Sequence, residues 1–159
     1  MTKIIAAKSK ISRSLGVNLW GKANDAYLKK NYGPGQHGRN AMGKKSVFGE
    51  QLKEKQKFKF YYGMTEKHLR RAYEEAKRRK GDTGEQLVGL LERRLAAVVY
   101  RSNLAPTMFA ARQLVSHKHI LVNGRKVNIS GYLLKPGDVV ALSPKLKENV
   151  MVMESVSKM

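Results

Sequence analysis

Not one cysteine occurs in this chain of 159 residues. No disulfide can form, and a zinc site built on cysteine is excluded; the composition fits a reducing compartment. The four histidines are too few and too scattered to suggest a metal site. Long apolar runs are missing too: none approaches the roughly 20 residues needed to span a bilayer. The opening Met1-Thr2-Lys3-Ile4-Ile5-Ala6-Ala7-Lys8 has too short an apolar core for a signal peptide. Catalytic motifs are absent as well. There is no glycine-rich phosphate loop ending in Lys-Ser or Lys-Thr, no His-Glu-x-x-His and no Gly-x-Ser-x-Gly. No two carboxylates are placed by spacing for acid–base work, so no enzyme activity and no cofactor are expected. Acidic side chains are scarce, 12 against 32 Lys and Arg, for a formal net charge of +20.

That imbalance selects the class of partner. A surface so positive repels itself unless something anionic neutralises it. Nucleic acid leads, because each phosphate contact releases condensed counterions; an anionic membrane is the competitor, and no membrane partner is expected. The charge is uneven. Residues 1–60 hold 14 basic and 3 acidic side chains, 61–91 hold 7 and 5, and 92–159 hold 11 and 4. The middle is ordinary protein surface, and the two flanks are the electrostatic footprint.

The first 47 residues lack sustained periodicity and include Asn31-Tyr32-Gly33-Pro34-Gly35-Gln36-His37-Gly38-Arg39, rich in breakers of helix and strand. They read as an extended basic arm with short ordered pieces, able to fold against phosphates while Tyr32 and His37 stack on bases. From Val47 to Tyr62 the pattern is helical, with Leu52, Phe58, Tyr61 and Tyr62 sharing a broad face and Gly63 as the stop. A second helix is capped by Thr65 and buries Leu69, Ala72, Tyr73 and Ala76; Arg78, Arg79 and Lys80 at its end suit either the helix dipole or RNA. Thr83-Gly84-Glu85-Gln86 fits a capping box with Thr83 at the cap. The helix after it carries the stripe Leu87, Leu91, Leu95, Val98 and Val99, with Arg93 and Arg94 facing outward. Thr107 begins another helix with Met108, Ala111, Leu114 and Val115 buried and Arg112 and Gln113 projecting elsewhere.

The strongest local signal follows. Ile120-Leu121-Val122, Asn123-Gly124 and Arg125-Lys126-Val127 spell a two-residue hairpin, because both turn positions must accept positive φ. Pro136-Gly137-Asp138 turns the chain into the strand Val139–Leu142, and Met151-Val152-Met153 reads as a last strand. The fold class is therefore α+β: a helical subdomain, then helices and a small, mostly antiparallel sheet. The helix bearing Arg112 runs through Ser116-His117-Lys118-His119 straight into the hairpin, so Arg, Lys, His and Asn form one compact ridge. Such a ridge suits a structured RNA, read by shape and backbone. His117 and His119 alone do not make a metal site, since no further ligand follows by spacing.

These residues also carry a resemblance. Ala110-Ala111-Arg112-Gln113-Leu114-Val115-Ser116-His117, His119-Ile120-Leu121-Val122-Asn123-Gly124 and Val127-Asn128-Ile129 resemble the RNA-binding domain named after small-subunit ribosomal protein S-four, a domain also found in pseudouridine synthases and tyrosyl-tRNA synthetases. Leu15–Gly21, Tyr32–Gly38, Lys55-Gln56-Lys57, Tyr61-Tyr62-Gly63 and Lys80–Glu85 extend the likeness to the bacterial S-four ribosomal family over essentially the whole chain. The resemblance implies a structural protein of the small ribosomal subunit that binds the 5′ domain of its rRNA and nucleates assembly. It further implies a contact with ribosomal protein S-five bearing on decoding accuracy and, in some bacteria, repression of its own operon. It implies no homo-oligomer, and a cytoplasmic ribosome, or an organellar one, as the location. Family members often have zinc-binding cysteines in the arm, Gly at the position of Lys118 and Asp at that of Ala96, and usually run on beyond the position of Met159. The missing cysteines mean that this arm orders without metal.

Charge and resemblance together give the candidate RNA-binding residues. The arm supplies Arg13, Tyr32, Gln36, His37, Arg39, Lys44 and Lys45. The helices supply Lys57, Arg70, Arg94 and Arg101. The ridge supplies Arg112, Gln113, His117, Lys118, Asn123, Gly124, Arg125 and Lys126. The expected organisation is an arm over residues 1–47, a helical subdomain over 48–91 and the RNA-binding domain over 92–155. An RNA-modifying enzyme would need a catalytic domain for which there is no room, and a free rescue factor would not be expected to carry the arm.

Overall fold

The computed structural model describes residues 7–40, 46–146 and 149–157. They form two units that part between Thr65 and Glu66. In the N-terminal unit the short ordered pieces expected in the arm are helices α1 (Lys8–Leu15) and α2 (Ala26–Lys29). A polar tie joins them. Ser12 donates to Asp25 Oδ2 at 2.8 Å, and the other carboxylate oxygen accepts the Tyr27 N–H at 2.9 Å, capping α2. Asp25 is only 3% exposed, and those donors satisfy it without an ion pair.

Helix α3 (Val47–Tyr61) starts at Ser46, whose hydroxyl accepts the Gly49 N–H. It ends in two reverse bonds, Met64 N–H to Lys59 C=O and Gly63 N–H to Phe60 C=O, the Schellman arrangement. The broad apolar face expected for it is not buried as one. Tyr62, just past the helix, is buried, but Leu52 and Phe58 are exposed, and no residue within α3 is fully buried. Lysine at every other position from Lys53 to Lys59 puts charge on two opposite sides of the helix.

The C-terminal unit begins with α4 (Glu66–Arg78), which packs on α5 (Thr83–Glu92) through Leu69 and Ala76 from one side and Leu90 and Leu91 from the other. Tyr73, expected inside, is half exposed. The α5 cap is Asp82 rather than Thr83: its carboxylate accepts the Glu85 N–H at 2.8 Å, and Gln86 reaches back to Lys80 C=O instead. A carboxylate bonds more strongly than a hydroxyl and favours the positive end of the helix.

The single long helix expected next is broken at Arg93–Arg94, and α6 (Leu95–Arg101) follows. The break has a non-local cause. The carbonyls of Tyr132 and Ser130 accept the N–H groups of Leu95 and Ala96, and Leu134 N–H donates to Arg93 C=O. Helix α7 (Met108–Ser116) is capped by Thr107 and buries Met108, Ala111, Leu114 and Val115, as its spacing predicts.

Strands β1 (Ile120–Val122), β2 (Arg125–Val127) and β3 (Val140–Leu142) make an antiparallel sheet in the order β2-β1-β3. The sheet and α6–α7 share a core that includes Leu95, Val99, Val115, Ile120 and Val122. Residues expected as a last strand form α8 (Val150–Val156), which brings Val152 into this core.

Helix α7 closes with the same two reverse bonds as α3, His119 N–H to Leu114 C=O and Lys118 N–H to Val115 C=O. Lys118 thus sits at φ 62°, where a side chain is strained. Lys118→Gly is therefore expected to stabilise the protein by about 1 kcal/mol. Urea unfolding checks this: the midpoint rises at constant slope, and an unchanged or lower midpoint contradicts the assigned strain.

Candidate nucleic-acid interface

Two clusters of candidate residues are organised by the fold, one in each unit. In the N-terminal unit, Arg13 on α1 donates from Nε to Tyr32 C=O at 3.1 Å and from Nη2 to Gly33 C=O at 2.8 Å. Its guanidinium carbon also lies 4.7 Å from the Tyr32 ring centroid, and that of Arg39 lies at 5.0 Å. A hydrogen bond from Arg39 holds the Tyr32 phenol below its ordinary range, helped by the charges of Arg39, Lys30 and Arg13. The ring that the sequence offers for base stacking is thus engaged by two arginines, and it organises the loop. Gly38 is required here: a Cβ on it would collide with the Gly33 carbonyl. Gln36, His37 and Arg39 are left exposed on the loop so formed. Lys44 and Lys45 lie outside the described residues.

In the C-terminal unit the cluster is the end of α7 with the hairpin. Asn123 and Gly124 have φ 49° and 77°, the two positive values that a type I′ turn needs. The Asn123 side chain is committed within the fold. Its Nδ2 donates to Asp138 Oδ1, and its Oδ1 accepts the Val139 N–H, both at 2.9 Å. Its part is to bind the tip of the hairpin to the loop before β3. Asp138 also accepts the Lys135 N–H at 2.7 Å; that bond and the one from Asn123 hold its carboxyl below the usual carboxylate range.

Register pairs Val122 with Arg125 and Leu121 with Lys126. Alternation along a strand then sends Arg125 and Lys126 to opposite faces, so the ridge expected from the sequence is a two-sided knob. Lys118, Arg125 and Lys126 are all exposed and have no acid partner among the described residues. Beside them, Gln113, His117 and His119 line a hollow of about 230 Å³ floored by Ala110, Leu114 and Leu146, and the two imidazole centroids are 6.2 Å apart.

Other candidates are differently placed. Lys57 pairs with Glu54 at 2.6 Å, Arg70 with Glu74 at 3.2 Å, and Arg101 grips both oxygens of Glu92 at 2.7 and 3.1 Å. Their charge is partly neutralised inside the protein. Arg93 and Arg94 do not simply face outward. Arg93 donates from Nε to Leu134 C=O at 2.9 Å, across 41 residues of sequence. Arg94 is half-buried, and burial, then the charge of Arg112, lowers its proton affinity; burial does the same for Arg112. Both stay cationic, since an arginine side chain keeps its proton in proteins. Sequence pattern does not single out Arg93, because its partner is fixed only by the fold.

Among the described residues no group of His, Cys, Asp or Glu could hold a metal ion, and no helix is long and apolar enough to cross a membrane. Residues 3–92 match the ribosomal protein S4/S9 N-terminal domain, and residues 93–140 match the S4 domain. The chain is similar to small ribosomal subunit protein uS4 of Ruegeria sp. (strain TM1040), 57% identical over 157 residues that cover 98% of this chain and 76% of that one. The uS4 proteins of Paracoccus denitrificans (strain Pd 1222) and Brucella abortus (strain S19) are 56% and 55% identical, each over 98% of this chain and 76% and 77% of theirs.

The arginine clasp of the arm can be tested on the free protein. Arg13→Gln removes two charge-assisted bonds and is expected to cost residues 32–38 about 1–2 kcal/mol of local stability. Hydrogen exchange of those amides should quicken while β1 stays protected; unchanged exchange would mean that the clasp does not order the loop.

Proposed function

Since the chain belongs to the uS4 family of small ribosomal subunit proteins, a structural and non-enzymatic component of the ribosome, we propose that it grips folded small-subunit rRNA with two surfaces: the knob made by α7 and the hairpin, and the arm around Arg13, Tyr32 and Arg39. One observation carries the reading. Where Lys57, Arg70 and Arg101 have acids of their own, Lys118, Arg125 and Lys126 stand exposed with none among the described residues. Uncompensated cations on a rigid knob supply phosphate contacts whose free energy comes largely from counterion release. The flat guanidinium of Arg125 suits a phosphate fork, and the lysines act as point charges. Recognition through the backbone and the shape of the RNA follows, with base edges secondary.

The finer reading rests on the family resemblance. The RNA is the 5′ domain of the small-subunit rRNA, the protein enters assembly early, and a contact with ribosomal protein S-five bears on decoding accuracy. Repression of its own message draws on the same cations. The protein works as one copy per subunit, on a cytoplasmic or an organellar ribosome, with an arm over 1–47, a helical part over 48–91 and the RNA-binding domain over 92–155.

Two measurements test the reading. Arg125→Glu combined with Lys126→Glu changes only exposed residues, so helicity should be unaltered while affinity for an rRNA fragment drops at least about tenfold; unaltered affinity would remove the knob from the contact surface. The logarithm of affinity should also fall linearly with the logarithm of salt, at a slope of several units. A flat dependence would contradict charge neutralisation as the source of binding.

A further inference from the structure

We propose that a second, separate phosphate site lies in the cleft between α4, α5 and residues 130–133, where Arg94 and Arg71 clasp one phosphate group of the RNA backbone; this rests on the RNA-binding reading above. The cleft has a volume of about 190 Å³ and is lined by His68, Arg71, Glu75, Arg94, Gly131 and Leu133, with apolar α5 side chains behind them. Arg94 is its centre. The backbone on either side is pinned: Arg94 bridges to Leu133, and the next two N–H groups bond to Tyr132 and Ser130. The backbone that carries Arg94 is therefore fixed, while its guanidinium makes no hydrogen bond or ion pair of its own among the described residues. Among the described residues it meets no acid and no hydrogen-bond acceptor, and its charged neighbour is another cation, Arg112.

A half-buried cation beside a like charge is destabilising unless an anion compensates it. Among the described residues the fold supplies none: Glu75 is the one acid among them that lines the cleft, and it is bound to Arg79 at 3.2 Å. The fold does supply room. A Cβ at position 131 would lie 3.0 Å from Arg94 Nη2 and 3.4 Å from Cζ, so glycine keeps the guanidinium clear on that side. Arg71 is exposed at the rim and makes no hydrogen bond or ion pair among the described residues. Two guanidinium forks can each take a non-bridging oxygen of one phosphodiester. The charge of Arg112, which Arg94 already feels, adds to the attraction for an anion.

The test uses the full chain in three arms. With inorganic phosphate in place of chloride at equal ionic strength, thermal unfolding of the wild type should shift upward, and Arg94→Gln should abolish the shift. Without phosphate, Arg94→Gln should unfold no earlier than wild type, because it removes an uncompensated charge; this keeps the folded state in hand. With rRNA, Arg94→Gln should weaken binding about tenfold and lower the salt slope by about one unit. Lys77→Gln, which removes an exposed charge from α4, should change affinity less than twofold. Gly131→Ala keeps every charge but crowds Arg94, and should weaken RNA binding as well.

Equal, small effects of Arg94→Gln and Lys77→Gln, with the hairpin variant still impaired, would overturn the cleft and leave the RNA-binding reading standing. No effect of any of these variants would overturn both. Loss of the inorganic-phosphate response with RNA affinity intact would make the cleft a free-anion site and overturn the proposal. So would normal RNA binding with poor incorporation into subunits, which would point to a carboxylate of a neighbouring protein.

Discussion

Thirty-two basic side chains against twelve acidic ones repel one another in the free protein, and the structure is ordered by where that repulsion is relieved and where it is kept. Along α3, α4 and the α5–α6 junction it is relieved locally, by Lys57–Glu54, Arg70–Glu74, Arg79–Glu75 and Arg101–Glu92. Each such exposed pair adds little stability; together they cancel charge over the middle of the chain. At the end of α7, on the hairpin and at Arg94 there is no such cancellation among the described residues. An anion that binds there gains both its own attraction and the removal of a standing repulsion. The same sites make binding sensitive to salt, because screening weakens both terms.

The arm meets the constraint differently. Among its described residues Ile11 is the one buried apolar side chain, so burial offsets little of the loss of chain entropy. Directional polar contacts hold it instead: Ser12 to Asp25, Asp25 to the start of α2, and Arg13 to two successive carbonyls. In this chain Arg13 acts as the clip. A guanidinium fork fixes two carbonyl positions at once, and its charge remains available to act on phosphates nearby.

What the sequence makes legible is what short-range chemistry decides. The buried face of α7, its Thr107 cap and the Asn-Gly hairpin are specified within a few residues, and the structure has each of them. The failures have non-local or ambiguous causes. Leu87, Leu91, Leu95 and Val98 keep helical period through Arg93–Arg94, and nothing nearby announces the break. It is imposed by backbone bonds from residues 130–134, about forty positions along the chain. Met151-Val152-Met153 is too short for its period to tell strand from helix; burial of Val152 and Ser155, three apart, belongs to a helix. For the interface, pattern finds the residues but not their state. Asn123 serves the turn, Tyr32 serves the clasp, and Arg125 and Lys126 part to opposite faces because strand geometry, not charge, aims them.

Two departures from local preference remain, and they share a direction. Lys118 occupies a left-handed position that closes α7 equally well with glycine, since both closing bonds are made by the backbone. Arg94 places a guanidinium where burial and Arg112 oppose its charge, at a position whose structural work is also done by backbone groups. In neither case is the side chain part of these backbone bonds. Stability alone would favour removing each one, by relief of strain in the first and of uncompensated charge in the second. Sites where local rules are broken without a structural return are where function is expected to be the reason. Here each break keeps a cation that has no acid partner among the described residues, Lys118 exposed and Arg94 half-buried in the cleft. Folding leaves that demand for an anion unmet, and a phosphate chain can meet it at both points.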